Sequence, residues 1–329
     1  VTAASGGCSV PSADGLRYER LQEVGPADAW RPYAGVGLLV VLFVVGQFVV
    51  GAVVTVFLAT SGDSAARITD ELSGDPATPS FLALVNLGWA AVIPSVLVVA
   101  LLVHRMAPGW VVSVAGAVRW RWLATCLGLA VVALAVTFGV SLLLPDQGAG
   151  TVDLGGGLNS WSSTTRDFLL VVLLLTPLQA AGEEFAFRGY LAQACGAVTG
   201  RHGAAVSGTV AVVVPAVLFA LAHGVGQDLP IFFDRFAFGV VAGLLVLLTG
   251  GLEAGIAMHV LNNFFAFGLA LAFGDMGETL TPTDGTWWAV PVTLTQSLAY
   301  LGLTLWAARR LGVATRTSAA ILESRGRRV

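Results

Sequence analysis

Apolar residues run through this chain in blocks of about twenty, separated by short polar connections. The blocks cover residues 34–59, 81–103, 123–144, a fourth that starts near 168 and carries on to 191 or beyond, then 204–222, 229–249, 254–273 and 287–308. A helix needs ~20 apolar residues to cross a hydrocarbon core ~30 Å thick, and backbone in lipid must satisfy its own hydrogen bonds. The pattern therefore predicts an all-α fold, a polytopic membrane bundle of about eight transmembrane helices. Residues 1–33 read as a polar N-terminal tail, mobile or interfacial, residues 34–308 as the transmembrane domain, and residues 309–329 as a basic C-terminal tail. Pro94, Pro177 and Pro215 fall inside blocks, where kinks are tolerated if neighbours satisfy the freed carbonyls. The Gly-, Ser- and Thr-rich stretch 145–166 reads as a flexible loop.

Composition agrees with this picture. Of 329 residues, 56% are hydrophobic and 11% charged, against roughly 25% charged in soluble domains. A net charge of −3 gives no reason to expect nucleic acid as a partner. The basic residues are all arginine, and three of the connections concentrate them: Arg105, Arg119 and Arg121; Arg201; and Arg309, Arg310, Arg316, Arg325, Arg327 and Arg328. The alternate connections are acidic, with Asp63, Asp70, Glu71 and Asp75, then Asp146 and Asp153, then Asp275, Glu278 and Asp284. The positive-inside rule then places both termini in the cytoplasm, in an integral plasma-membrane protein. Arg119-Trp-Arg-Trp122 reads as an interfacial anchor. Cys8, Cys126 and Cys195 are too scattered for a disulfide framework. No signal-peptide core precedes Cys8, and no CxxC or HExxH zinc signature occurs. No internal repeat is visible, so an inverted-repeat transporter has no support.

One stretch conflicts with its surroundings. Fifteen uncharged residues, Phe168 to Gly182, lead directly into Glu183-Glu184-Phe-Ala-Phe-Arg188. A charge at bilayer depth costs about 2.5–3.5 kcal/mol on insertion scales, so intramembrane ionisable residues need partners, water or a function. On a helix Glu184 and Arg188 face each other, with the acid N-terminal to the base, the better order for an ion pair. Glu183 is rotated about 100° away and is free to take a different charge state, as general acid–base work requires. Two further motifs place polar residues in or at the end of apolar blocks, Phe219-x-x-x-His223 and His259-x-x-x-Asn263. His259 and Asn263 share a face and can together donate to a developing oxyanion. They can equally act as an interhelical clasp.

In this order and spacing, Glu183-Glu184-x-x-x-Arg188, Phe219-x-x-x-His223 and His259-x-x-x-Asn263 resemble the CAAX-protease and bacteriocin-processing family, which includes the type II CAAX prenyl endopeptidases. Phe185, Phe187, Gly189 and Tyr190 fit the pattern around the Glu pair, and the resemblance covers residues 166–275; the first three blocks carry no signature of it. The resemblance implies an intramembrane endopeptidase acting on a membrane-associated substrate: a lipidated or prenylated tail, a leader peptide or a membrane-protein segment. It implies Glu183 as the base that activates water, His223 assisting, His259 and Asn263 as oxyanion hole, and Glu184 and Arg188 as the residues that hold the geometry. The family is described both as glutamate-dependent and as metalloprotease-like. Glu183, His223 and His259 form a set that can bind a divalent metal such as zinc, and a carboxylate with a histidine also activates water unaided. No certain cofactor follows. With no Ser or Cys in the motifs, water is the expected nucleophile.

Two other function classes fit the same residues: a non-proteolytic scaffold or bacteriocin-immunity protein, and a proton-coupled transporter using the carboxylates and histidines as a relay. The span order also poses a geometric problem. It puts Glu183 and His259 near the cytoplasmic side and His223, which closes the fifth block, near the outer face. A tilted or displaced fifth helix, differently drawn spans, or a loop 224–230 dipping inward would each bring it back.

Overall fold

The computed structural model describes residues 15–143, 157–223, 227–280 and 285–325. Cys8, Asp146, Asp153, Asp284, Arg327 and Arg328, most of the loop 145–166 and the first three residues of 224–230 lie outside the described residues. Every apolar block forms a helix: α1 Arg31–Thr60, α2 Pro79–Leu102, α3 Trp120–Ser141, α4 Ser163–His202, α5 Ala204–Ala222, α6 Leu229–Thr249, α7 Glu253–Phe273 and α8 Ala289–Leu311. Among the described residues the chain is 79% helical, with no strand. The first seven helices are long and apolar enough to cross a membrane. Helix α8 is long enough, but Thr293, Thr295, Gln296, Ser297 and Thr304 make it less apolar. Several of these face inward, with Gln296, Ser297 and Thr304 buried against the bundle.

Lipid exposure explains the outer surface. Helix α1 presents Val41, Val45, Phe48, Val49 and Phe57 outward, a continuous apolar face that soluble monomers rarely expose. Helix α6 is the inner rod, packed on α5, α7 and α8, while α3 closes against α7 and α8, and α2 bridges α1 and α4.

The prolines act where the sequence places them. Helix α2 is interrupted at Ala91, three residues before Pro94. Helix α4 breaks at Leu175 and restarts with Pro177 in its first turn. A proline there forfeits no hydrogen bond that the helix start would have made.

The stretch 15–33, expected to be mobile or interfacial, is packed against the bundle and is not mobile through its length. A short 3-10 helix, Tyr18–Val24, packs on the last turns of α4. Tyr18 and Leu21 are fully buried, and the Tyr18 hydroxyl donates to the Val111 carbonyl at 2.5 Å. The C-terminal stretch returns to the same end, where Thr317 N donates to Leu16 O and Leu16 N to Thr317 Oγ1. Val24, Leu21 and Leu16 supply the apolar positions that a mostly polar sequence hides.

Arg119 also differs from the anchor reading. Trp120 is exposed, as an anchor would be, but Arg119 is a lock. Its backbone N and Nε reach Glu253 Oε1, both at 2.9 Å, and Nη2 reaches Glu253 Oε2 at 2.6 Å. Its Nη1 donates to the carbonyls of Thr249 and Ala314, each at 2.9 Å. One guanidinium thus ties the end of α6, the start of α7 and the segment after α8. Removing one partner of a buried pair strands the other charge, at about 3–5 kcal/mol. Arg119→Ala should therefore lower the thermal unfolding midpoint markedly, whereas Arg121→Ala, on an exposed side chain, should leave it nearly unchanged.

At the same end, His104 Nε2 lies 2.8 Å from the hydroxyl of Tyr190, two residues beyond Arg188. Burial, with the Arg31 guanidinium nearby, pulls the His104 pKa from 6.5 to about 4. The folded state thus holds this histidine neutral, and the unfolded chain binds the extra proton between those values. Its contribution is complete above about pH 6.5 and is lost as pH falls toward 4, up to about 3 kcal/mol. The midpoint of unfolding in detergent should fall across that window, and His104→Gln should flatten the dependence.

Candidate active site

The fourth rod carries the site. After Glu184 the helix widens into a π-helical segment, Phe185–Leu191, before continuing as Ala192–Thr199. Such segments are rare and concentrate at functional sites. Two glycines allow the close approaches the site needs. A Cβ on Gly182 would lie 2.1 Å from the Trp89 carbonyl oxygen, so only glycine lets α2 pack against α4 here. A Cβ on Gly255 would lie 2.7 Å from Glu184 Oε2, so glycine also lets α7 meet the Glu pair.

The ionisable residues meet as a network. Arg188 Nη1 donates to Glu184 Oε1 at 3.0 Å, with both side chains buried. The Arg188 guanidinium also stacks 4.1 Å from the centroid of Phe219, a cation–π contact. His259 Nδ1 lies 3.0 Å from the same Glu184 Oε1, and its Nε2 lies 3.6 Å from Glu183 Oε2. Glu184 therefore fixes both Arg188 and the tautomer of His259, and turns Nε2 toward Glu183. Glu183 Oε2 is buried and has no hydrogen-bond partner.

The other oxygen of Glu183 ends a chain of amides. Gln296 Nε2 donates to Asn262 Oδ1 at 3.0 Å, Asn262 Nδ2 lies 3.4 Å from Asn263 Oδ1, and Asn263 Nδ2 donates to Gln179 Oε1 at 3.0 Å. Gln179 Nε2 then donates to Glu183 Oε1 at 2.5 Å. Every link points the same way, because a carboxylate can only accept when ionised. Asn263 uses one amide hydrogen here and keeps the second. Gln179 is a site residue the motifs do not show, although its position four before Glu183 on one helix face was a usable signal.

His223 joins the same cavity, contrary to the straight-span accounting. Its Nδ1 donates to the Phe219 carbonyl at 2.8 Å, which leaves Nε2 as an acceptor. The reason is the length of α4. It continues to His202 and folds back at Gly203 into antiparallel α5, so residues equidistant from 203 lie level. Phe187 and Phe219 are such a pair, with ring centroids 5.5 Å apart; Glu183 and His223 are another. A cavity of about 260 Å³ includes Glu183, His223, His259, Asn263, Asn86 and Trp89. It extends to Asp234, Arg235 and Thr293, near the starts of α6 and α8. Asp234 and Arg235 are the charged residues of the sixth block, and that isolation was a signal the sequence offered.

Among the described residues, no three His, Cys, Asp or Glu side chains gather as a metal site. The set Glu183, His223 and His259 does not close into a cage in this geometry.

Residues 165–265 match the family of Rce1-like type II CAAX prenyl endopeptidases. The resemblance read from the motifs holds for that segment. The chain is also similar to an uncharacterized protein, YyaK, of Bacillus subtilis (strain 168), with 26% identity over 148 residues. That alignment covers 42% of this chain and 48% of the relative, so the chain spans about half the length of the curated protein it matches. No solved structure matches. All of the motif residues, Glu183 to Asn263, fall inside the Rce1-like segment.

Proposed function

We propose that the protein is an intramembrane endopeptidase that hydrolyses a peptide bond of a membrane-associated protein with water activated by Glu183. The observation that carries this is Glu183 Oε2: a buried carboxylate oxygen without a hydrogen-bond partner, 3.6 Å from His259 Nε2, on the wall of a cavity shared with His223 and Asn263. A water between Glu183 Oε2 and His223 Nε2 gives its proton to Glu183. Its oxygen adds to the scissile carbonyl carbon, and the carbonyl electron pair moves to oxygen. The second amide hydrogen of Asn263 donates to that oxyanion, together with Nε2–H of His259 when the ring carries a second proton, taken up from solvent before the step and kept through it. Glu183 returns the proton to the leaving nitrogen as the C–N bond breaks. Glu184 and Arg188 hold His259 in place and take no proton. The amide chain from Gln296 to Gln179 fixes both Asn263 and Glu183.

The substrate class proposed is a lipidated, prenylated or leader-type segment, and the membrane proposed is the plasma membrane with both termini cytoplasmic. Reconstitution separates the rival readings. In proteoliposomes without any ion gradient, the wild-type protein should generate new termini in added membrane proteins. Flux that requires a proton gradient, with no cleavage, would favour a transporter. Cleavage that stops on chelation and returns with zinc would assign a metal to the site.

A further inference from the structure

We propose that Arg235 is a substrate-binding residue that receives a carboxylate, held within a few residues of the scissile bond. This rests on the peptidase reading above. Helix α6 is apolar along its length except for Asp234 and Arg235, and both line the cavity that holds Glu183 and His259. A charged side chain in a span is costly unless it meets a partner or a ligand. Among the described residues no carboxylate lies within ion-pair distance of Arg235, and its buried Nε has no hydrogen-bond partner. Asp234, its neighbour in sequence, acts on Arg235 as an adjacent charge but forms no ion pair with it, and shares the cavity wall with Thr293 of α8. The guanidinium is a planar fork of donors without an acceptor, and its best-matched ligand is a carboxylate, taken in two parallel hydrogen bonds.

Register sets the distance. Phe238 packs on His259 with ring centroids 5.3 Å apart. Arg235 is three residues earlier on the same helix face, about 4.5 Å along the axis. An extended peptide advances about 3.3 Å per residue, so a chain cleaved beside His259 reaches Arg235 within a few residues. The carboxylate can be a free C-terminus or an Asp or Glu side chain.

The test uses binding, so that it does not depend on turnover. A pool of N-palmitoylated heptapeptides with the last four positions randomised, half as free acids and half as C-terminal amides, is offered to the Glu183→Gln protein in nanodiscs. Captured peptides are read by mass spectrometry. The expected result is at least tenfold enrichment of peptides carrying a carboxylate in those positions. Enrichment of free acids assigns the terminus, and enrichment of Asp or Glu among amides assigns a side chain. Arg235→Gln should remove the enrichment, and Arg235→Lys should keep part of it. Equal capture of acids and neutral amides, no capture, or enrichment unchanged in Arg235→Gln would overturn the assignment. Capture that depends on Arg235, together with no cleavage of the same pool by wild-type protein, would instead overturn the peptidase reading.

Discussion

Glu183→Gln should reduce peptide-bond cleavage by about 10²–10⁴-fold, the range that a positioned general base contributes, and should leave the fold intact. The substitution is nearly isosteric. Its amide oxygen still accepts from Gln179 Nε2, which holds the acceptor position of Glu183 Oε1 at 2.5 Å in the native site. What it removes is the free, buried oxygen Oε2 that faces His259 Nε2. Because that oxygen has no partner in the folded protein, losing its charge removes a burial cost. Thermal unfolding of Glu183→Gln should therefore be unchanged or shifted upward while turnover collapses. Measured side by side on purified protein, a large fall in midpoint would mean that Glu183 serves packing and that its loss of activity is indirect.

Arg188→Met should do the opposite. Glu184 is buried, and Arg188 is its guanidinium partner at 3.0 Å. Removing one member of a buried pair leaves the other uncompensated, at about 3–5 kcal/mol. The loss should appear as a lower unfolding midpoint and lower yield in the membrane, with activity falling in parallel. The double variant Glu184→Gln, Arg188→Met removes both charges and should recover most of the stability, since a neutral replacement for a buried ion pair is often tolerated. It should not recover activity, because His259 Nδ1 loses the carboxylate that orients it. Recovery of both would place Glu184 and Arg188 outside the mechanism.

The helices were legible because lipid leaves little choice: apolar blocks of spanning length must form helices, and each of them did. The Glu–Arg pair was legible for the same reason, since three ionisable groups in six residues conflict with an apolar block. What escaped was the extent of α4. Residues 192–203, Ala-Gln-Ala-Cys-Gly-Ala-Val-Thr-Gly-Arg-His-Gly, read as a connection, yet Ala192, Gln193, Ala194 and Gly196 are buried. A Cβ on Gly196 would strike the Glu19 carbonyl, so the Tyr18–Val24 helix packs directly on this turn. That contact joins residues about 180 apart in sequence, and no local pattern reports it. Its consequence reaches the site, because the fold-back at Gly203 is what brings His223 level with Glu183. The π-helical segment at Phe185–Leu191 was equally hidden, since apolar spacing does not distinguish it from an α-helix. Gln179 was visible in principle, four residues before Glu183, but an amide in a span is a weaker conflict than a charge.

The central claim, that Glu183 activates water for peptide-bond hydrolysis, is tested most directly in cells and without choosing a substrate. New protein N- and C-termini in the membrane fraction are compared between cells expressing the wild-type chain and cells expressing Glu183→Ala at matched levels. The account predicts a set of termini present with wild type and absent with the variant, restored by none of the substitutions at Glu183 that lack a carboxylate. Identical termini in the two membranes, with both proteins folded and inserted, would contradict it and leave the buried network as a device for helix packing.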